Sequence, residues 1–461
     1  MRDKASESGS SGQLITCGTG SAAESESEDS LLGSYFVSAY PPFSFWTEDG
    51  VSSFERCLER APSSKRGFGL YVHIPFCSER CQFCYYLSHD DRPGDLDGYL
   101  KALATEIAWY SEKAAFSGRA LEFVYFGGGT PSLLSESRVR ALLRAAQGAF
   151  SWTESREVTF ECAPNSVTMS KLETLRELGV TRISLGVQEL TDRVLRLNGR
   201  VHLVEDVERA VEAVRDVGFP VLNIDLIAGL VGQADESFCA SLERVIEMEA
   251  ESVTIYLLEI PHNTPLYRSL SAGSAGERPV GWEVKRARLR AGFALLEGSG
   301  YHIRSAYTAV RDPGRHSFVY QDEQYRGADV LGVGASSFSY VSGIHQQNRA
   351  SLAGYLDAVS QGRLPLWRAY ALDAEEEFVR ELVLQLKLGR VSSSYFLEKF
   401  GVDPAVRFAD TWTRFREQGF LTGNGAEIRL SLDGLSRVDH LVREFFLPRH
   451  RPPIASSLDR C

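Results

Sequence analysis

Between residues 70 and 260 the chain switches repeatedly between two hydrophobic periods. Short β-branched runs occur at LYVHI (70–74), LEFVYF (121–126), EVTFE (157–161), RISLGV (182–187), VLNIDLI (221–227) and SVTIYLLEI (252–260). Between them apolar positions return every three to four residues, over 96–110, 137–149, 171–178, 204–217 and 235–249, which is the helical period. Six such runs alternating with helices predict an α/β fold: a parallel sheet with right-handed crossovers, curled into a partial (β/α)6 TIM-like barrel over 67–310. In barrels of this kind chemistry sits where strands give way to βα loops.

The flanks follow other patterns. Residues 1–30, rich in Ser, Gly and Glu, bury too little to offset the entropy of ordering and are expected to form a disordered tail. The aromatic, proline-rich stretch that opens 31–66 reads as an extended arm on the body, with a linker as the alternative beyond Thr47. ADVLGVGASSFSYV (328–341), within a barrel-closing segment 311–372, reads as a strand and glycine turn over the barrel mouth. Helical periods at 375–388, 393–400 and 404–418, then β-type runs at 420–422 and 427–430, predict a mainly helical, winged-helix-like module over 373–447. Residues 448–461 are expected to be a mobile tail, with Cys461 a free end.

Charge narrows the function classes. A net charge of −11 over 461 residues offers no basic field for phosphates, so no nucleic-acid partner is expected. Arg407, Arg414 and Arg416 could suggest DNA binding, but Glu375, Glu376, Glu377, Asp403 and Asp410 oppose them. No window approaches 18 uninterrupted apolar residues, so no membrane span is expected. The first residues carry no apolar signal segment, and eight cysteines with three in one loop suit a reducing compartment, so the expected location is cytoplasmic.

That loop holds the main chemical signal. Cys77, Cys81 and Cys84 follow the first strand and Pro75 at C-x3-C-x2-C spacing. Three thiolates so close together can ligate three irons of a [4Fe–4S] cubane and leave the fourth iron open. The same spacing would fit one face of a helix, but Pro75 and the polar Ser78, Glu79, Arg80 and Gln82 favour a loop. A zinc site would need a second pair, which Cys57 and Cys162 do not supply. FGGGTPS (126–132) follows the second strand; Gly127, Gly128 and Gly129 allow close backbone approach to a ligand, or simply a tight turn, and Thr130 adds a hydroxyl. Glu161 ends the third strand and Gln188 the fourth, while Asp225 interrupts an apolar fifth. A carboxylate there must face the barrel mouth or be paired to avoid a penalty of several kcal/mol.

CSERCQFC, FGGGTPS, SLGVQELTDRVLRLNGR and NIDLIAGL, in this order, resemble the radical S-adenosylmethionine superfamily in the branch of the oxygen-independent coproporphyrinogen III oxidases, over about residues 66–447. The resemblance implies that Cys77, Cys81 and Cys84 hold the cluster, with S-adenosylmethionine chelating the open iron. It also implies that Tyr71, Phe83, Gly128, Gly129, Thr130, Glu161, Gln188, Arg200 and Asp225 line the cofactor space. Leu258 and Phe338 match the place of a second S-adenosylmethionine in this branch. Arg200 can fork onto a carboxylate, and Glu161 and Asp225 can accept from ribose hydroxyls or an ammonium. In such enzymes an electron from a reductase such as flavodoxin or ferredoxin cleaves the sulfonium, and the 5′-deoxyadenosyl radical takes hydrogen from a small organic substrate. An apolar barrel interior is expected to shield that radical.

Three activities occur in the branch: oxidative decarboxylation of porphyrinogens, haem chaperoning, and methyl transfer or cyclopropanation using a second S-adenosylmethionine. The oxidases continue the cluster motif to a fourth cysteine, where this chain has Tyr86. The chaperones share a histidine-asparagine-aromatic region that HQQNRASLAGYL (345–356) matches poorly. LLEIPHNTPLY (257–267) looks more like the methyltransferases, with His262 and Tyr267 as candidates for proton movement; the alternative is an ordinary βα loop turned by Pro261 and Asn263.

Overall fold

The structure, a computed structural model, describes residues 36–62, 66–86, 89–90, 95–423 and 427–451. The expected disordered tail, Cys461 and most of the expected mobile tail lie outside the described residues. Six strands pair in parallel in chain order: β1 (Phe68–Ile74), β2 (Phe123–Gly128), β3 (Glu157–Cys162), β4 (Arg182–Gln188), β5 (Val221–Ala228) and β6 (Ser252–Leu257). Beyond β6 the sheet turns antiparallel with β7 (Thr308–Val310) and the short His302–Ile303. The crossover helices begin and end on local signals. Ser135 caps Glu136–Ala149 by accepting from the Arg138 N–H, Thr168 caps Met169–Glu177, and Val204–Val217 stops at Gly218 in the left-handed region.

The other edge corrects an expectation. The 328–341 stretch is two strands, β8 (Asp329–Val333) and β9 (Phe338–Val341), and β8 lies parallel beside β1, with Phe68 opposite Asp329, instead of covering the mouth. Its apolar residues are buried from end to end, which only a place inside the sheet allows. β9, β10 (Ile344–Asn348) and β11 (Leu366–Ala371) extend the sheet as an antiparallel meander. Residues after Thr47 are also more ordered than a linker: Thr47 bridges to Ala369, and Val51–Leu58 is a helix with Phe54 and Leu58 buried.

Strand alternation sorts side chains to two faces. Leu70, Val72, Val124, Phe160, Ile183, Leu185, Ile224 and Ile255 point outward under the helices and are fully buried. The opposite face is polar, contrary to the expected apolar interior: Tyr71, Tyr125, Thr159, Glu161, Ser184, Asn223, Asp225 and Thr254 alternate with the apolar set. Several of these groups satisfy one another. Asn223 donates to Ser184 Oγ at 2.9 Å and accepts from Ser252 Oγ at 2.8 Å and Thr254 Oγ1 at 3.0 Å, while Arg182 donates to Ser252 Oγ at 3.1 Å. At the N-terminal end of the strands the buried Glu157 accepts the N–H groups of Val319 and Tyr320, which fastens the helix Val319–Tyr325 across the barrel floor.

The C-terminal module holds Ala374–Leu386, Ser393–Phe400 and a small three-stranded sheet. The helical run expected over 404–418 breaks at Phe408 into Pro404–Arg407 and Ala409–Glu417. Arg407 pairs with Glu375, and Arg414 with Glu444 at 2.8 Å. The expected mobile tail is anchored at its start: Pro448–His450 is one helical turn, and buried His450 meets the Tyr40 hydroxyl at 2.8 Å. Buried Lys387 donates to the Val37 carbonyl at 2.8 Å and pairs with Asp439 at 2.9 Å, joining arm and module.

Candidate cofactor site

The cysteine loop leaves β1 at Pro75 and is held through its backbone. The Gly129 N–H donates to Ile74 O at 2.8 Å and the Thr130 N–H to Phe76 O at 2.7 Å. Farther along, the Gln82 N–H donates to Asn198 O at 3.1 Å, and Gln82 O accepts from the Leu266 N–H at 2.8 Å. Arg80 donates to the carbonyls of Cys84 (3.1 Å) and Asn263 (3.2 Å), and Asn263 donates to Tyr85 O at 2.9 Å. The segment 261–267 is therefore a βα turn, with Thr264 N–H on Pro261 O, and also a clasp on the cysteine loop. His262 stacks edge-on against Tyr267 at 4.5 Å.

The three thiols are free and partly exposed. Burial pushes Cys84 up to about 11, with the Cys81 thiol adding to the rise; Cys77 also rises through burial, eased by Thr130, whose hydroxyl donates to Cys77 Sγ at 3.5 Å. Thiols in such surroundings ionise when a metal centre supplies the compensating charge. Among the described residues no three His, Cys, Asp or Glu groups converge as ligands of a single ion. A cubane takes each thiolate on a separate iron and asks for no such convergence, so three neighbouring thiols on one loop fit it.

Arg200 stands over this loop. It donates from Nη1 to Cys81 Sγ at 3.2 Å and from Nη2 to Gly186 O at 2.6 Å, and its Nε has no protein partner. His202, which the sequence reading did not single out, sets its orientation: Nδ1 lies 3.3 Å from Arg200 Nη2 and Nε2 lies 3.0 Å from Val187 O. Burial and the Arg200 charge push His202 down to about 4, so it is neutral, and these contacts assign the proton to Nε2. Gln188, at φ 71° where β4 slips register against β5, has a buried Oε1 without a protein partner.

Across the mouth Glu161 accepts from the Tyr125 hydroxyl at 2.6 Å and the Gly128 N–H at 3.1 Å. Burial, with Asp225 adding, pushes Glu161 up to about 7. Asp225 accepts from Asn223 at 2.9 Å and Ser184 at 3.1 Å, yet burial still pushes it up to about 6. The glycine run is tight toward the protein itself. A Cβ at Gly127 would lie 2.9 Å from the Glu161 carboxyl, at Gly128 (φ 118°) 2.6 Å from the His73 ring, and at Gly129 2.5 Å from Phe76 O. His73 in turn meets the Tyr71 hydroxyl at 3.0 Å, and burial pushes it down to about 4.

The fold thus brings Thr130 onto Cys77, Arg200 onto Cys81 and the Gly128 N–H onto Glu161, with Tyr71 beside Gly128 through His73. Phe83 and Leu258 share one apolar cluster with Val194, Ile227 and Leu266. Phe338 stands apart from the set, its ring packed on Phe43 and Trp46 of the arm at 4.7 and 5.8 Å. Tyr125, Tyr256 and Tyr320 were missed, although Tyr125 and Tyr256 occupy inward positions that strand alternation alone identifies.

A family profile for the radical SAM superfamily matches residues 71–245. The haem chaperone HemW of Bacillus subtilis is 28% identical over 370 residues, which cover 79% of this chain and 95% of that protein. The oxygen-independent coproporphyrinogen III oxidase of Escherichia coli is 30% identical over 361 residues, covering 76% and 77% respectively. The solved structure of coproporphyrinogen III oxidase (HemN) from Escherichia coli, described as a radical SAM enzyme, superposes with a TM-score of 0.77 at 26% identity over 89% of this chain and 97% of that one. No helix among the described residues is long and apolar enough to cross a membrane. On sequence and fold together, the chain belongs to the radical SAM superfamily, in the branch that contains the oxygen-independent coproporphyrinogen III oxidases and the HemW haem chaperones.

Proposed function

We propose that this chain is an enzyme that holds a [4Fe–4S] cluster on Cys77, Cys81 and Cys84, binds one S-adenosylmethionine beside it, and oxidises an organic substrate by hydrogen abstraction. The observation that carries this reading is the three-thiol loop with the Arg200 fork over Cys81 and two acceptor carboxylates, Glu161 and Asp225, on the facing strands. When bound, the cluster and S-adenosylmethionine supply reductive cleavage to a 5′-deoxyadenosyl radical. The chain's own residues position and shield. Arg200 has an uncommitted Nε for an anionic group, Gln188 an uncommitted acceptor, and Glu161 and Asp225 receive an ammonium or hydroxyl donor. A small reductase such as flavodoxin or ferredoxin delivers the electron. Leu258 is buried in its apolar cluster and Phe338 leans on the arm, which supports one S-adenosylmethionine over two.

Anaerobically reconstituted protein with dithionite is expected to release 5′-deoxyadenosine, and Cys81→Ala to release none. A wild type that binds iron and S-adenosylmethionine yet releases no 5′-deoxyadenosine with any of several reductants would overturn the proposal. The coverage of the Bacillus subtilis chaperone favours a second reading, haem transfer with retention of the cluster. Haemin added to the protein separates the two: a stable, stoichiometric Soret shift supports transfer, and its absence removes that reading.

A further inference from the structure

One arginine of the barrel wall is buried without an ion pair among the described residues. Arg182, the first residue of β4, is 1% exposed, with its guanidinium 4.5 Å from the centre of the Phe318 ring and its Nε and Nη1 without a protein partner. A guanidinium so placed is costly to bury, and an apolar side chain of similar volume would serve packing better. Glu157, at the foot of β3, lies within its field, but no hydrogen bond or ion pair among the described residues joins the two.

The hydrogen bond that Arg182 does make starts a chain that ends in the cofactor site. Arg182 Nη2 donates to Ser252 Oγ at 3.1 Å, Ser252 Oγ to Asn223 Oδ1 at 2.8 Å, and Asn223 Nδ2 to Asp225 Oδ1 at 2.9 Å. A branch runs from Asn223 Nδ2 to Ser184 Oγ at 2.9 Å and from Ser184 Oγ to Asp225 Oδ2 at 3.1 Å. Strand register builds both arms, because Asn223 stands opposite Ser184 on one side and Ser252 on the other. The sense of every bond follows from the first. A guanidinium can only donate, so Ser252 accepts from it and gives its own proton to Asn223. Asn223 therefore turns its oxygen to Ser252 and its NH2 to Asp225. Thr254 Oγ1, at 3.0 Å, fills the other lone pair of that oxygen, with a hydroxyl that alone could turn either way. Both Asp225 oxygens are gripped in this way, while the carboxylate keeps accessible surface and further lone pairs for a ligand.

We propose that Arg182 is a positioning residue for S-adenosylmethionine: through Ser252 and Asn223 it holds Asp225 oriented as an acceptor for the ligand's hydroxyl or ammonium donors. The proposal rests on the radical reading above and deepens it by naming what sets one of its two acceptor carboxylates. Burial pushes Asp225 up to about 6, and the bonds from Asn223 and Ser184 and the Arg182 charge act against that rise. The other charged and titratable groups around Asp225 are Glu161, the hydroxyls of Tyr86, Tyr125 and Tyr256, and Arg200, which is held on the carbonyl of Gly186 opposite Asp225. Arg200 stands at the thiol loop, where the ligand's own carboxylate belongs; Arg182 acts on Asp225 from the buried side, out of the ligand's reach.

The test is anaerobic equilibrium binding of radiolabelled S-adenosylmethionine to the cluster-loaded full chain at pH 8. Arg182→Met removes the first donor. Ser252→Val breaks the next link, and Ser252→Thr matches valine in size but keeps the hydroxyl. Arg182→Met should bind about tenfold more weakly than wild type, and Ser252→Val about tenfold more weakly than Ser252→Thr, with iron content unchanged. In an Asp225→Asn background both losses should shrink to about twofold or less, because the relay then has no carboxylate to set. A Ser252→Val protein that binds like Ser252→Thr, iron loss in step with binding, or losses of the same size in the Asp225→Asn background overturns the proposal and leaves Arg182 a structural counter-ion of Glu157. Should Arg182→Met not fold, the size-matched Ser252 pair decides. Wild-type protein that carries its cluster and binds no S-adenosylmethionine overturns the radical reading and this proposal with it, whereas wild-type binding with unaffected variants overturns this proposal alone.

Discussion

Glu161→Gln is expected to stabilise the cluster-free protein while weakening its hold on S-adenosylmethionine. Burial raises Glu161 from the usual 4.5 to about 7, and each unit of such a shift corresponds to about 1.4 kcal/mol. The ionised carboxylate at pH 8 therefore costs about 2–3 kcal/mol after allowing for its partial exposure. Glutamine removes the charge and keeps both contacts: Oε1 accepts from the Gly128 N–H, and Nε2 donates to the Tyr125 hydroxyl, which reverses its role. The sign is set by the folded state holding its proton to higher pH. Below pH 4.5 both states are protonated, the stability lent by the retained proton fades as pH rises from 4.5 to 7, and above 7 that loss is complete. At about 2.1 cal/mol/K of unfolding entropy per residue, 1 kcal/mol moves the midpoint of a chain of 461 residues by about 1 °C. Thermal unfolding should place Glu161→Gln about 2–3 °C above wild type at pH 8 and within about 1 °C at pH 5. The stabilisation that added S-adenosylmethionine confers should shrink in the variant. A gap that is the same at both pH values, or a variant less stable at pH 8, would refute the burial argument.

Other perturbations probe separate parts of the structure. Gly128→Ala forces a Cβ to 2.6 Å from the His73 ring at a φ of 118°, and should lower the unfolding midpoint by at least about 1–3 °C, read by the same thermal scan. His202→Ala frees Arg200 from its neutral acceptor; iron content after reconstitution should stay at the wild-type level while S-adenosylmethionine affinity falls about tenfold, measured by anaerobic titration. Tyr355→Phe removes the 2.6 Å bond to buried Glu106, whose carboxyl sits at about 7, and should cost about 1–3 kcal/mol in denaturant unfolding. Lys387→Ala leaves Asp439 without its ion pair and should destabilise by about 3–5 kcal/mol, whereas the loss should be far smaller for a Lys387, Asp439 double replacement by Met and Leu.

Legibility followed the range of the forces involved. The parallel strands were readable because β-branched runs and helical periods are local, and the cysteine loop because three cysteines lie within eight residues. β8 was misplaced because joining β1 from over 250 residues away is a long-range choice, and its run is cut short by Gly334 and Ser336, both with positive φ. The interior was misjudged because runs such as VLNIDLI look apolar overall, while Asn223 and Asp225 share one face and Leu222, Ile224 and Leu226 the other. The run Gly127–Gly129 is visible in the sequence as a place of close approach, but what presses on it, His73 and Phe76 among others, is decided by the fold. His202 carried no signal of its own, since its role exists only through Arg200.

The helix Val319–Tyr325, fastened to Glu157, lies at the end of the strands opposite the thiol loop. If the reactants of the proposed activity enter from the thiol-loop end, the nucleoside-bearing one, placed next to that loop, arrives before the molecule it attacks and departs after it. Steady-state patterns should accordingly be ordered, and an excess of the outer reactant should slow turnover by trapping spent nucleoside beneath it.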